Sequence, residues 1–356
     1  MKNAKDFIKN YTSVIFFSVG FLFDVFTLGE IDDSSNILFQ FFYLIFATAL
    51  ISIEYRGTSN ISTNNKLIQV AFNYRKDAFH FFLGSLLSSY TLFYFKSSSI
   101  SNSFIFLFFI ALLLILNELP RVQKKGIIVR TVLLYTCILS FLTYIIPTLV
   151  GFSGLALFIS SLVIGITLSY AATKVLNKYN DSPYKNSKEL LIPHSIITVI
   201  FLFLYIFRVF PPIPLSLKYI GIYHEVIKKD QNYITKELRP WWKIWHNGDQ
   251  DFSYIPGDKI YVFTKVFAPT GFKDKVFIHW LKKVNGSYQS SDRIALNVKG
   301  ARREGYRAFA YKKNISVGGW QVRIETATHL EIGRINFNIT KSEIYEGQRK
   351  YKTLTN

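Results

Sequence analysis

Seven runs of mostly apolar residues lie between positions 11 and 210 of the chain, at about 11–29, 36–53, 78–95, 101–117, 131–150, 152–171 and 190–210. A bilayer core about 30 Å thick takes roughly 20 apolar helical residues to cross. Backbone in hydrocarbon must also satisfy its own hydrogen bonds, so runs of this length are read as membrane-spanning helices. The fifth and sixth runs contain no charged residue. Composition agrees: 50% of the residues are hydrophobic, 17% aromatic and only 18% charged. A soluble domain normally carries about 25% charged residues. An ordinary soluble enzyme and a disordered chain are both disfavoured. The run at 11–29 follows a basic segment but is long and lacks a small-x-small cleavage pattern, so it is expected to persist as the first span. The single cysteine, Cys137, excludes a disulfide framework and a multi-cysteine metal site.

Charges in the connections orient such a bundle. Segments 1–10, 55–77, 118–130 and 172–189 together carry fifteen Lys and Arg, whereas the alternate connections near 30–35, 96–100 and 151 carry only Lys96. Glu30, Asp32 and Asp33 make one of these acidic. The expectation is a cytoplasmic N terminus, and the near absence of cysteine is compatible with an outer domain beyond a bacterial inner membrane. Seven spans then place the C terminus in the periplasm.

The pattern changes after residue 210. Pro211, Pro212 and Pro214 cannot continue a helix and favour extended backbone. From about 256, short alternating runs replace long apolar ones. Ile294, Leu296 and Val298 alternate with Ala295 and Asn297, Trp320, Val322 and Ile324 with Gln321 and Arg323, and Ile335, Phe337 and Ile339 with Asn336 and Asn338. Period-2 alternation between turn signals such as Pro256-Gly257-Asp258, Asn285-Gly286 and Gly318-Gly319 predicts half-buried strands. Six or seven of them within about 100 residues suggest an antiparallel β-sandwich. The expected class is thus an α+β membrane protein: a bundle of about seven transmembrane helices over 1–210, a Pro/Trp-rich linker over 211–255, a sandwich over 256–341 with Trp280, Trp320 and Phe337 in its core, and a basic tail over 342–356.

The blocks PPIPLSLKYIGIYHEV (211–226), PGDKIYVFTKVFAPTGFKDKVFIHW (256–280), DRIALNVKGARREGYRAFAYKKN (292–314) and GGWQVRIETATHLEIGRINF (318–337) resemble a bacterial membrane-protein family, domain of unknown function 2914. The resemblance spans roughly 211–340. It implies a C-terminal domain following a multi-spanning bundle, and it implies no established activity.

Ionisable residues inside spans are costly in lipid and are functional candidates by default. Asp24 and Arg208 fall near the outer ends of the first and last runs. Asp24 suits a proton or cation site, or a pairing with Arg208; alternatively both reach the interface. Glu54 and Glu118 read as interfacial. His80 and His194 fit no zinc pattern. In the outer domain, His279 alternates with Trp280 and faces away from the core, as a hydrogen-bonded strand residue does. No serine, cysteine or carboxylate pair stands beside a recognisable base, and neither a nucleophile elbow nor a phosphate loop is present.

Two clusters remain. Trp241, Trp242 and Trp245, with Arg239 and Lys243, suit an aromatic platform for sugars, a seat at the membrane surface, or packing against the sandwich. Arg302, Arg303, Arg307, Lys312 and Lys313 suit a phosphate- or carboxylate-binding patch, because Arg offers fork-like donors, or simply an exposed loop and strand edge. Residues 211–356 carry a balance of +12 out of the chain's +19, an excess that the orientation rule does not explain. A basic surface outside a membrane attracts anionic lipid head groups or acidic glycans.

The reading is a cell-envelope protein, without cofactor or metal and leaning away from enzymatic activity. Its basic sandwich would bind an anionic lipid, glycan or protein partner, and no nucleic acid. The alternative is a transporter, or a protein that modifies lipid-linked substrates, with the sandwich as accessory.

Overall fold

The computed structural model describes residues 22, 24, 26, 28–55, 75–118, 126–177, 187–300, 303–342 and 348–356. Six helices follow the apolar runs: α1 (Ser34–Tyr55), α2 (Arg75–Lys96), α3 (Ile100–Glu118), α4 (Ile127–Val150), α5 (Leu155–Asn177) and α6 (Ser187–Ile206). Of the run expected at 11–29, only Leu22, Asp24, Phe26, Leu28 and Gly29 are among the described residues, the first three with helical backbone. α1 begins where Asp33 Oδ1 accepts the Ser35 N–H at 3.1 Å, an N-cap bond. Gly165 on α5 lets α4 approach closely, since a Cβ there would lie 2.4 Å from Leu139 Cδ2.

Five of these helices are long and apolar enough to cross a membrane; in α3 the qualifying apolar stretch is the shorter Asn102–Ile115. Their side chains are distributed inside out relative to a water-soluble bundle. Phe39, Phe108, Val163, Val199 and Phe203 are exposed, whereas Gln40, Ser88, Ser140, Thr143, Ser161 and His194 are buried. Hydrocarbon favours that arrangement, because polar groups must then pair inside the protein.

The chain divides into two compact units, the first helical and the second built around Pro211–Asn356. The second unit also includes the short connections 96–102 and 150–153. Within it, Lys273 N–H donates to Gly151 O at 2.7 Å, and the N–H and hydroxyl of Ser153 both donate to Asp274 Oδ2.

Eleven strands make up the rest of this unit among the described residues: β1 (Ser216–Tyr223), β2 (Glu225–Lys229), β3 (Asn232–Glu237), β4 (Asp251–Tyr254), β5 (Ile260–Phe267), β6 (Lys273–Val284), β7 (Ser287–Lys299), β8 (Tyr306–Lys312), β9 (Gly318–Thr326), β10 (Glu331–Lys341) and β11 (Lys352–Thr355). They form sheets ordered β1-β5-β8, β4-β10-β9-β6-β7 and β11-β3-β2. Pairing is antiparallel except that β4 runs parallel to β10. Strands therefore also occupy the segments expected to be linker and tail, with β1–β4 inside 211–255 and β11 inside 342–356.

One apolar cluster draws on both larger sheets. Ile222 and Val262 come from the first, and Trp280, Val322, Trp320 and Phe337 from the second. A second cluster lies on the other face of β1 and β5, where Tyr223, Val226 and Phe263 pack with Tyr219, Tyr233, Tyr261 and Phe309. β1 and β5 thus bury both faces, which strips them of alternation: their burial runs are nearly continuous.

Candidate functional site

The loop between β3 and β4 is fixed by polar contacts before any of its aromatic residues is considered. Leu238 N–H donates to Asp249 Oδ1 at 2.8 Å, and Asp249 N–H donates to Ile222 O at 2.7 Å. Asp249 Oδ2 accepts from His224 Nδ1 at 2.7 Å. His224 Nε2 lies 3.2 Å from the Ser253 carbonyl oxygen, and the ring stacks on Phe252. Gly248 has φ of 71°. A Cβ at this position would lie 2.0 Å from Ile222 O, so only glycine fits the approach.

Arg239 ties the loop tip together. Its Nη1 donates to the carbonyls of Lys243 at 3.1 Å and His246 at 2.6 Å. Its Nε and Nη2 donate to the buried Glu237 Oε1. Two tight turns, Lys243 N–H to Pro240 O and His246 N–H to Lys243 O, complete the frame.

What this frame presents is apolar. Trp241 is 86% exposed, Trp242 51%, Ile244 80% and Trp245 66%. Trp242 and Trp245 meet edge to face at 6.1 Å. The Lys243 ammonium lies 5.1 Å from the Trp242 ring and ion-pairs with Asp251. Packing against the strands, one of the three roles open to these tryptophans, is overturned: Trp280 and Trp320 fill the core and the loop tryptophans face out. Burying a tryptophan is worth about 4–6 kcal/mol from its 150–250 Å² of area, so a pinned exposed trio holds a large unused drive to associate.

Among the described residues of the basic run at 301–313, the side chains point in different directions. Arg302 lies outside the described residues. Arg303 is exposed in the turn before β8. Arg307 and Lys312 sit on opposite faces of β8 by its alternation. Arg307 Nη1 donates to Asn356 O at 3.0 Å. Lys312 turns inward to ion-pair with Asp292, with its ammonium near the Trp320 ring. Lys313 is exposed beside Tyr311. A long aliphatic stem can lie along apolar surface while its ammonium meets a half-exposed acid, which sequence spacing does not reveal.

The outer face of the five-stranded sheet carries a second polar assembly. His279 faces away from the core as expected, with Nδ1 3.0 Å from Glu325 Oε1 and Nε2 2.8 Å from Ser290 Oγ. Arg293 lies opposite His279 and stacks on Phe277 at 3.8 Å. In sequence no serine stands beside a base, yet the fold brings Ser290 to His279. The signal is the hairpin register alone, because Glu325 is 46 residues away from His279.

In the helical unit, polar groups pair inward. Ser88 Oγ donates to Asp24 Oδ2 at 2.7 Å. Glu54 and Arg130 form an ion pair at 2.6 Å, so Glu54 is held by a partner. His194 Nδ1 lies 2.6 Å from Ser169 Oγ. Arg208 follows α6 with φ of 60° and is exposed. Among the described residues, no group of three His, Cys, Asp or Glu is placed to hold a metal ion.

Residues 273–339 match the model of a family described as "Protein of unknown function (DUF2914)". The match covers β6 through most of β10; the resembling blocks at 211–226 and 256–272 lie outside it. No curated protein matches the chain. Among solved structures, an immunoglobulin-like protein from Pseudomonas aeruginosa is similar at 8% identity over 35% of this chain and 96% of its own, with a TM-score of 0.22. An alkylpurine DNA glycosylase from Pseudomonas fluorescens, bound to DNA containing an abasic site analog, is similar at 10% identity over 87% of this chain and 99% of its own, with a TM-score of 0.18. Likenesses this weak carry no argument about fold or function.

Proposed function

We propose that this chain, whose C-terminal part matches DUF2914, is a helix-anchored binding protein of the bacterial cell envelope. In this reading the helices sit in the cytoplasmic membrane with the N terminus inside. The strand unit is a basic β-sandwich on the periplasmic side, and it seats on anionic lipid head groups through the tryptophan loop. The observation that carries it is the loop itself: Trp241, Trp242, Ile244 and Trp245 are exposed on a frame that Arg239 and Asp249 hold rigid.

Two features support the reading. Tryptophan prefers the membrane–water interface, where its ring is half in hydrocarbon and its N–H reaches water. The net charge of +12 over 211–356 is attracted to anionic lipid within about a Debye length. Sidedness draws on the charge split between alternate connections and on the grouping of 96–102 and 150–153 with the strand unit. Those two connections carry Lys96 as their one basic residue.

The test uses full-length protein in nanodiscs of zwitterionic lipid with and without phosphatidylglycerol. Phosphatidylglycerol should shift the tryptophan emission to the blue, 0.5 M salt should weaken the shift, and W241S/W242S/W245S should abolish it. Emission that is the same in both lipids would contradict the reading.

A further inference from the structure

We propose that Ser290, His279 and Glu325 form a nucleophilic ester-hydrolysing site on the outer face of the five-stranded sheet. This goes beyond binding and does not depend on the tryptophan loop. The pleat places all three residues on one face. His279 lies on β6 opposite Arg293 of β7 and Arg323 of β9; Ser290 lies opposite Leu281, two positions further along β6; Glu325 lies opposite Phe277, two positions back. Strand alternation therefore projects the three side chains to the same side, in a diagonal line across three strands.

The atoms are arranged as nucleophile, base and orienting acid require. Ser290 Oγ is 2.8 Å from His279 Nε2, and His279 Nδ1 is 3.0 Å from Glu325 Oε1. With its proton on Nδ1, the ring donates to Glu325 and accepts the Ser290 hydroxyl proton at Nε2. Glu325 is itself buried. Its other oxygen faces Arg293 Nε at 3.7 Å and His329 Nδ1 at 3.6 Å. A carboxylate fixed in this way keeps the imidazole in the reactive tautomer and stabilises the imidazolium that forms during attack. Ser290 is exposed on an edge strand, open to a substrate.

A third element comes from an irregularity in the ladder. Trp280 pairs with Asp292 but Leu281 with Ser290, so Ser291 is an extra residue in β7. A bulged residue drops out of the ladder. Ser291 directly follows the nucleophile, the position whose backbone N–H recurs as an oxyanion donor in serine hydrolases.

In the reaction, Ser290 Oγ attacks the carbonyl carbon of a carboxylic ester while its proton passes to His279 Nε2. The ester C–O bond breaks and the leaving alcohol takes that proton, giving acyl-Ser290. Water then attacks the acyl carbon, losing a proton to Nε2. The bond to Oγ breaks, Oγ regains the proton, and the acid is released. Arg293 and Arg323 flank His279 on either side, so the substrate class is an ester that carries an anionic group.

The test is labelling of the full-length, detergent-solubilised protein with a fluorophosphonate probe, mapped by peptide mass spectrometry. The expected result is an adduct on Ser290 that is absent in S290A and slowed about 100-fold or more in H279N. Ser290 is exposed, so the alanine variant does not threaten the fold. No adduct on Ser290, while a serine hydrolase in the same sample is labelled, would overturn the proposal. So would labelling of Ser290 at an unchanged rate in H279N.

Discussion

His224 Nδ1 lies 2.7 Å from Asp249 Oδ2, and the two side chains are 5% and 2% exposed. This pair joins the end of β1 to the base of the tryptophan loop, because Asp249 Oδ1 also holds Leu238 N–H. Removing one partner of a buried pair costs more than the pair contributes, since the other is left desolvated. Asp249→Ala is expected to destabilise the strand unit by about 3–5 kcal/mol. Asp249→Asn should cost much less: its amide can donate to Nδ1 while Nε2 still serves Ser253. Thermal unfolding followed by tryptophan fluorescence distinguishes the two.

Arg239 acts on the loop tip. It closes the carbonyls of Lys243 and His246 and anchors to Glu237. Arg239→Ala should loosen the tip and lower global stability by about 3 kcal/mol, because the buried Glu237 carboxylate loses its main partner. Arg239→Lys should fail to rescue it, because an ammonium lacks the planar fork that spans several acceptors. Tryptophan anisotropy in detergent is expected to fall equally in both variants.

Substitutions at Lys312 separate an internal ion pair from a ligand contact. Its ammonium is buried against Asp292 and near Trp320. Lys312→Met keeps the apolar stem and removes the charge, so it should change stability by less than about 1 kcal/mol or raise it. Asp292→Ala leaves the ammonium without its half-exposed partner and should cost about 1 kcal/mol. A ligand contact at Lys312 would reverse this order in a binding assay while leaving unfolding unaffected.

Alkaline stability follows from the aromatic cluster under the small sheet. Tyr223 and Tyr219 share a hydroxyl hydrogen bond of 2.5 Å. Burial pushes the Tyr223 hydroxyl far above the usual tyrosine range, with Tyr219 and Glu237 adding to it. Burial likewise raises Tyr219. The folded state therefore favours the neutral phenols. Their contribution is intact below the ordinary value of 10.0 and is lost progressively as pH climbs above it, when unfolding releases protons. Tyr223→Phe should move the alkaline unfolding transition to higher pH. At neutral pH it should cost about 1 kcal/mol, through the lost hydroxyl pair. Circular dichroism between pH 8 and 12 reads both effects.

Much of this architecture was legible in the residues for a simple reason. A strand with one buried face must alternate, so Trp320, Val322 and Ile324 and then Ile335, Phe337 and Ile339 declared themselves. β1 was hidden because Ile220, Ile222 and Tyr223 are all buried, one face against each cluster, which removes the period-2 signal. β11 was hidden because Lys352–Thr355 is short and gains order only by pairing with β3. The tryptophan loop was visible as composition, but its exposure depends on Arg239 and Asp249, whose partners come from elsewhere in the fold. Ser290 and Glu325 could not be linked to His279 without the register of β6 with β7 and β9.

Quenching by lipids brominated at defined acyl depths tests the central claim most directly. All five tryptophans lie at or beyond position 241, so fluorescence reports on the strand unit alone. Trp280 and Trp320 are buried in its core and the other three face out. In proteoliposomes, shallow bromines near the head groups should quench up to about three fifths of the emission, the share of the three loop tryptophans among five, deep bromines should quench little, and W241S/W242S/W245S should remove the effect. Emission indifferent to bromine at every depth would show that the loop does not meet the bilayer, and the account would fail.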